Sequence, residues 1–359
     1  MAGRRWRRAS AAGRSPPRVL QAGKSPAGGW PVTLHRRTLL ASGFALAGAA
    51  LAAPRGARAQ PAWPTRPVRL VVPFPAGSTP DILARALTPH YAQVFGQPFV
   101  VENRAGAGGN IGTDAVAKAT DGHTIGLTIN GPLATAPALY PHLPYDPAKD
   151  LAPISLLARA GQVLVVKPDL PARDLAGFVA HAKANPGKLT YGSVGAGSGG
   201  HLAMEDLKAR TGIALEHAPY RGFPQAVLDL VAGRIDAMIL TVAGILPQVR
   251  EGQVRALAVT AEARLPQLPE VPTLVEAGLP GAVSYAWNAL VAPAAMPADV
   301  IARLARETRA ALETPEARQA TGTAGFEIVA SGPEALAAWV AEETARWGGM
   351  IARLGIKAD

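Results

Sequence analysis

The chain has 359 residues, a formal net charge of +10 and no cysteine. Eleven of its 36 Lys and Arg precede residue 60 and none of its 26 Asp and Glu do, so the remainder is near neutral at −1 and the basic total does not mark a nucleic-acid binder. The missing cysteines exclude disulfides and thiol chemistry, and the length beyond residue 60 is enough for one large or two medium domains.

Residues 1–59 read as a removable leader. Arg36-Arg37 precedes an apolar run over 39–53, and Ala57-Arg58-Ala59 offers a small-x-small cleavage site. The Arg pair suggests twin-arginine export, with a general export signal as the other reading. The run is too short and too rich in Ala and Gly for a membrane span. The mature protein is expected to begin near Gln60 and to be soluble in the periplasm.

The β-branched run over 68–73 predicts a strand. A Gly/Pro loop follows, and Thr79-Pro80-Asp81 has the order of an N-cap, a proline at the first helical position and a first-turn acid. A second strand over 99–102, a Gly-rich loop at 105–109, a helix over 111–118 and a strand over 124–129 repeat the alternation. That alternation predicts a parallel sheet wrapped by helices. A Pro-rich link over 141–150 leads to two strands, 154–158 and 163–167, read as a crossing. Strand and helix then alternate to residue 259, and a return strand over 284–292 precedes three closing helices.

The expected fold class is α/β: a two-lobed clamp with two crossing strands as hinge. The first lobe takes residues 66–158 and 285–359, and the second takes 159–284. Ligands of such sheets bind beyond the carboxyl ends of the strands, and facing lobes can close around them.

Two strand-to-helix turns carry the binding argument. One contains Phe74, Ala76, Gly77, Ser78, Thr79 and Asp81; the other contains Ser193, Gly195, Gly197, Ser198 and His201. Each sets glycines, hydroxyls and free amides at a helix N-terminus, where orphan N–H groups and the helix dipole favour an anion. The alternative is a pair of ordinary turns capped by Thr79 and Ser198. Asp81 is expected to cap its own helix and hold the loop amides. His201 is read either as a donor to a carboxylate or as a cap or core residue. Tyr220 and Arg221 end a strand where they would reach the cleft, and Arg is a natural carboxylate partner. Asn130 and Thr128 end a first-lobe strand and offer side-chain hydrogen bonds. Trp287 reads as hinge packing.

Two enzyme readings compete. Gly195-x-Gly197-x-x-Gly200 fits a dinucleotide fingerprint, with Glu216 where a ribose-binding acid would stand. That reading gives an exported NAD-dependent oxidoreductase, but the match lies in the second lobe and its stretch is richer in Gly and Ser than the fingerprint needs. A hydrolase elbow fails because Tyr191 stands where Gly is required. The histidines show no metal-ligand spacing, and no cofactor or metal is expected.

At this point the residues resemble a known family. The stretches are Val71-Val72-Pro73-Phe74-Pro75-Ala76-Gly77-Ser78-Thr79-Pro80-Asp81, Val101-Glu102-Asn103-Arg104-Ala105-Gly106-Ala107-Gly108-Gly109, Leu143-Pro144-Tyr145-Asp146-Pro147, Pro219-Tyr220-Arg221-Gly222, Pro269-Glu270-Val271-Pro272-Thr273 and Trp287-Asn288-Ala289-Leu290-Val291-Ala292-Pro293. In order and spacing they resemble Bug-type periplasmic receptors, the solute-binding components of tripartite tricarboxylate transporters, from Trp63 to the C-terminus. The resemblance implies the two-lobed periplasmic-binding-protein fold, type II, a "Venus flytrap" in which both Gly-rich loops bind ligand carboxylates, partly through bridging water. It implies a small organic carboxylate as ligand, a monomer, and delivery to a permease of one large and one small subunit. A receptor signalling to a membrane kinase is a further reading. The first loop departs from the family's usual Pro-Gly-Gly, with Ala76-Gly77-Ser78 adding a Cβ and a hydroxyl.

Overall fold

The computed structural model describes Gly29, residues 63–220 and residues 222–358; the leader and Arg221 lie outside the described residues. β1 (Val68–Val72) leads into α1 (Thr79–Phe95), β2 (Phe99–Asn103), α2 (Asn110–Ala117) and β3 (Thr124–Ile129). The chain then tightens into a π-helix, Gly131–Thr135, followed by α3 (Ala136–Leu139), α4 (Pro147–Asp150) and the long β4 (Leu151–Val166). Next come α5 (Leu175–Ala184), β5 (Thr190–Ser193), α6 (Gly199–Thr211), β6 (Glu216–Pro219), α7 (Phe223–Val231), β7 (Ala237–Thr241), α8 (Leu246–Arg250) and β8 (Arg255–Val259). β9 (Tyr285–Pro293) returns, and α9 (Ala298–Leu312), α10 (Pro315–Thr323), β10 (Glu327–Ile328) and α11 (Pro333–Leu354) follow.

The strand order is β2-β1-β3-β9-β4-β7-β5-β6, with β8 and β10 also on β4. β1 pairs in parallel with β2 and β3, and β5 pairs in parallel with β6 and β7. Between these two parallel groups, β4 belongs to both halves. Its residues to Gly161 pair with β9, and from Gln162 onward they pair with β7. Thr260 fastens the second passage of the chain to the first: its N–H donates to Gln162 O at 2.8 Å and its hydroxyl to Ser284 O at 2.7 Å. The architecture is a two-lobed α/β fold.

Continuous apolar strands follow from burial on both faces. Val68, Leu70 and Val72 point into a core with Leu83, Leu87 and Tyr91 of α1, while Val71 points to the opposite face with Trp287. In the second half, Leu164 and Val166 pack with Phe178, Met204 and Leu207, and the alternate residues Val163 and Val165 pack with Leu230 of α7.

The crossing differs from its expected form, for residues 154–158 and 163–167 are parts of one strand. Arg159 does not break it, because the guanidinium lies 4.4 Å from the Tyr285 ring centroid and Nε donates to Glu327 at 2.8 Å. Gly161 keeps the strand against its neighbours, since a Cβ there would stand 2.8 Å from Ala261 Cβ. Register shifts near Pro153 and Leu156 absorb the bend. The first helix also starts one residue earlier than expected: Ser78, not Thr79, is its N-cap, and makes no side-chain capping bond.

Candidate functional site

A cavity of about 520 Å³ lies between the halves. The β1–α1 turn supplies Phe74, Gly77, Ser78 and Thr79 to its wall, and the β5–α6 turn supplies Gly197, Ser198, Gly199 and Gly200. The π-helix that follows β3 meets the second turn directly: Thr135 Oγ1 donates to Gly197 O at 3.5 Å. A Cβ on Gly199 would stand 3.6 Å from Asn130 Nδ2. The structure thus brings Phe74, Gly77, Ser78, Thr79, Asn130, Gly197 and Ser198 of the expected residues to one wall.

Asp81 stands behind this wall. Its carboxylate accepts from Gly77 N at 2.9 Å, Asn103 Nδ2 at 2.9 Å and Arg85 Nε at 3.0 Å. Burial pushes its pKa up, but the bonds from Arg85, Gly77 and Asn103 outweigh that and hold it below the usual carboxylate value. Asn103 also donates to Phe74 O at 2.9 Å, so one side chain ties both ends of the turn. Asp81 removes the Gly77 amide from ligand binding and fixes the loop.

The second turn is braced the same way. Gly195 N donates to Ser193 Oγ at 3.2 Å, and Gly197 N donates to His201 Nδ1 at 3.1 Å. Ser193 Oγ is 2.7 Å from His217 Nε2, and the His201 and His217 rings lie 4.3 Å apart. Ser198 Oγ accepts from His201 N and caps α6. Loop glycine amides are therefore partly consumed by the turn's own side chains. The first-turn amides of α1 and α6, those of Thr79, Gly199 and Gly200, have no intrahelical acceptor and stand at the cavity. Together with the two helix dipoles they give this part of the cavity the character that favours an anion.

Several expected residues stay off the wall. Ala76, Asp81, Ser193, Gly195, His201 and Tyr220 do not line the cavity. Tyr220 turns into its own half, where its hydroxyl donates to Asp229 Oδ2 at 2.9 Å. Arg221 lies outside the described residues. Ser193 and His217 have the spacing of a nucleophile and its base, but Ser193 is 1% exposed and does not line the cavity. The dinucleotide match has a packing cause: a Cβ on Gly200 would stand 2.0 Å from Ile239 O, so α6 lies close on β7. Glu216 opens β6 opposite Thr190, at the far end of the strand from the turn.

Sequence reasoning missed part of the cavity wall. Gln162 of β4, Asn288 of β9, Thr135 and Thr241 all line it, as does Trp287. They come from segments far apart in the chain, and even the family-like stretch that opens with Trp287-Asn288 carries no local sign that it lines a cavity. Trp287 serves both packing and lining, with its Nε1 donating to Glu343 Oε2 at 3.0 Å. Among the described lining residues there is no Asp, Glu, Lys, Arg or His. Among the described residues no cluster of three or more His, Cys, Asp or Glu is placed to hold a metal ion.

A family model described as the tripartite tricarboxylate transporter family receptor matches residues 83–356. Protein BugT of Bordetella pertussis is 38% identical over 323 residues, which span 89% of this chain and 98% of BugT. A Pseudomonas sp. strain P51 protein from the tcbD-tcbE intergenic region is 43% identical over 88% of this chain and 95% of its own. Among solved structures, the periplasmic binding protein BugD matches with a TM-score of 0.72 at 33% identity, covering 83% of this chain and 100% of BugD. MatC of Rhodopseudomonas palustris, solved with bound malate, matches at 0.72 and 34% identity, over 80% of this chain and 100% of MatC. A second R. palustris protein, solved with adipate, matches at 0.74 and 35% identity, over 82% and 99%.

Proposed function

The chain belongs to the tripartite tricarboxylate transporter receptor family, and from that premise we propose that it captures a small organic carboxylate between its lobes and delivers it to a membrane permease of that transporter class. The observation that carries this reading is the cavity itself: two helix N-termini from opposite halves converge on it, and its described wall offers an anion only neutral donors. Its volume lies in the range of small-molecule sites. Relatives solved with malate and with adipate support a carboxylate as the ligand class. Binding without turnover is the role that membership of a receptor family supports, and the hydroxyls that line the cavity have no Asp, Glu, Lys or His beside them among the described lining residues.

Among the described residues no helix is long and apolar enough to cross a membrane. The protein is proposed to act as an exported monomer, released from its leader near Gln60, with the permease subunits as its partners. Sequencing the N-terminus of the periplasmic form tests the leader.

The ligand test is a thermal-shift panel of mono-, di-, tri- and aromatic carboxylates. A ligand at about 100 times its Kd adds about 2.7 kcal/mol of stability. A shift from one member, confirmed as single-site binding by calorimetry, is expected. No shift from any member overturns the carboxylate reading.

A further inference from the structure

The donors that the two helix mouths offer are few. The first-turn amides of Thr79, Gly199 and Gly200 stand at the cavity without an intrahelical acceptor. Their neighbours are already spent: Gly77 N donates to Asp81, Ser78 Oγ donates to Pro75 O at 2.7 Å, and Pro80 has no N–H. An ionised carboxylate has two oxygens with about four lone-pair sites between them. Three amides therefore serve one carboxylate and leave little for a second. The described lining residues include no cation to balance a second charge.

Much of the remaining wall is apolar, and part of it is aromatic. Phe74 and Tyr140 line the cavity from the first half, and Phe223 lines it from the second, where it opens α7. Each is half-buried: it packs against a buried cluster and keeps part of its surface accessible. Phe74 leans on glycine backbone, since a Cβ on Gly109 would stand 2.8 Å from its Cζ. Val194 of the second turn also lines the cavity and is half-buried. Accessible apolar surface in a concave wall gains free energy when it is covered. Aromatic side chains gain more when another ring covers them, through offset or edge-to-face contact. A hydroxylated diacid or a tricarboxylate would set polar groups against these side chains, where they lose water and find no donor.

We infer that the ligand is an acid with a single carboxylate on an apolar ring: the amides at the helix mouths hold its charge, and Phe74, Tyr140 and Phe223 cover its ring. Because these side chains come from both halves, a ring between them is covered on two sides only while the halves are together, so its burial favours the closed form.

This inference rests on the carboxylate reading of the cavity, and the experiment separates the two. Calorimetry on the mature protein compares benzoate and cyclohexanecarboxylate with malate, adipate and citrate. Phthalate is the doubly charged ring, and benzamide is the uncharged one. In the wild type, a ring acid is expected to bind at least about tenfold tighter than any open-chain acid and than benzamide, and benzoate to bind tighter than phthalate. In Phe223→Ala and Tyr140→Leu, one from each half, the ring acid weakens about fivefold or more and its advantage over the open-chain acids shrinks. Cooperative thermal melts show that the variants fold, and the wild-type ranking decides the matter without them. An open-chain acid that binds as tightly as the ring acids, phthalate that binds tighter than benzoate, or an advantage unchanged in both variants overturns the inference and leaves the carboxylate reading standing. Benzamide that binds as tightly as benzoate, or binding of no acid at all, overturns the carboxylate reading and this inference with it.

Discussion

The Gly77 N–H donates to the Asp81 carboxylate at 2.9 Å, so the first loop is closed by a residue of the helix it introduces. The carboxylate is 2% exposed and also accepts from Asn103 and Arg85. Ser78 makes no capping bond of its own, and Asp81 orders the turn in its place.

Asp81→Asn is expected to destabilise the protein by about 1–3 kcal/mol at pH 7. The Asp81 pKa is lowered in the folded state, so its stabilisation is complete above the unfolded value of 3.8 and fades as pH falls through the lower folded value. Urea denaturation of wild type and variant should therefore show a constant gap from pH 5 to pH 8 that closes below pH 4. A gap that shows no narrowing as the pH falls below 4 would show that the loss comes from packing and not from the charge.

Gly200→Ala is expected to be worse than Gly195→Ala. At Gly200 the added Cβ meets the Ile239 carbonyl at 2.0 Å, and a backbone atom in the middle of the sheet cannot move aside. α6 must lift off β7, at a cost of about 1–3 kcal/mol or more, and its first-turn amides leave the cavity. At Gly195 the space is open and only the left-handed backbone, φ +112°, opposes a side chain, at about 1–2 kcal/mol. Thermal melts with and without ligand should show Gly200→Ala losing both stability and the ligand shift, and Gly195→Ala losing stability with the shift largely kept.

Glu343 joins two indoles: its Oε2 accepts from Trp287 Nε1 and from Trp347 Nε1, each at 3.0 Å. It is buried, and it ties the return strand β9 to α11. Glu343→Leu leaves two buried N–H donors unpaired, at about 1–3 kcal/mol each. A fall in the melting temperature with a changed tryptophan emission is the expected result. Unchanged emission would mean that the indoles find other acceptors.

The parts of the fold that were legible in the sequence are the local ones. Strand, Gly-rich turn and helix N-terminus follow one another within about 15 residues at each loop, and their signals are carried by neighbouring residues. Misreadings arose where a distant or unexpected partner decides the outcome. Tyr220 was placed at the cleft by position, but Asp229 on the following helix takes its hydroxyl. Arg159 and Gly161 read as a break, yet Glu327, Tyr285 and Ala261 hold them in an unbroken strand. Gln162 and Asn288 look unremarkable in sequence because 126 positions separate them, and only the crossing of β4 and β9 brings both to one cavity.

The last prediction concerns closure. Leu202 of α6, in the second half, packs in one buried cluster with Leu139 of α3 and with Trp347, Met350 and Ile351 of α11, all in the first half. Beside it, an Arg346 guanidinium nitrogen lies 3.9 Å from Asp206, again one residue from each half. Such contacts exist only while the halves are together, so they stabilise the closed form and leave an open form untouched. Leu202 is 1% exposed and does not line the cavity. Truncating a buried leucine costs about 2–5 kcal/mol where it packs. Whatever part of that cost falls on the closed form alone appears as weaker ligand binding, because the competent state becomes less populated. Leu202→Ala should therefore raise the Kd about tenfold or more without touching the ligand, and small-angle scattering of the ligand-free variant should give a larger radius of gyration than the wild type. A variant with lowered stability but unchanged Kd and radius would show that the cluster supports α6 alone and does not latch the lobes.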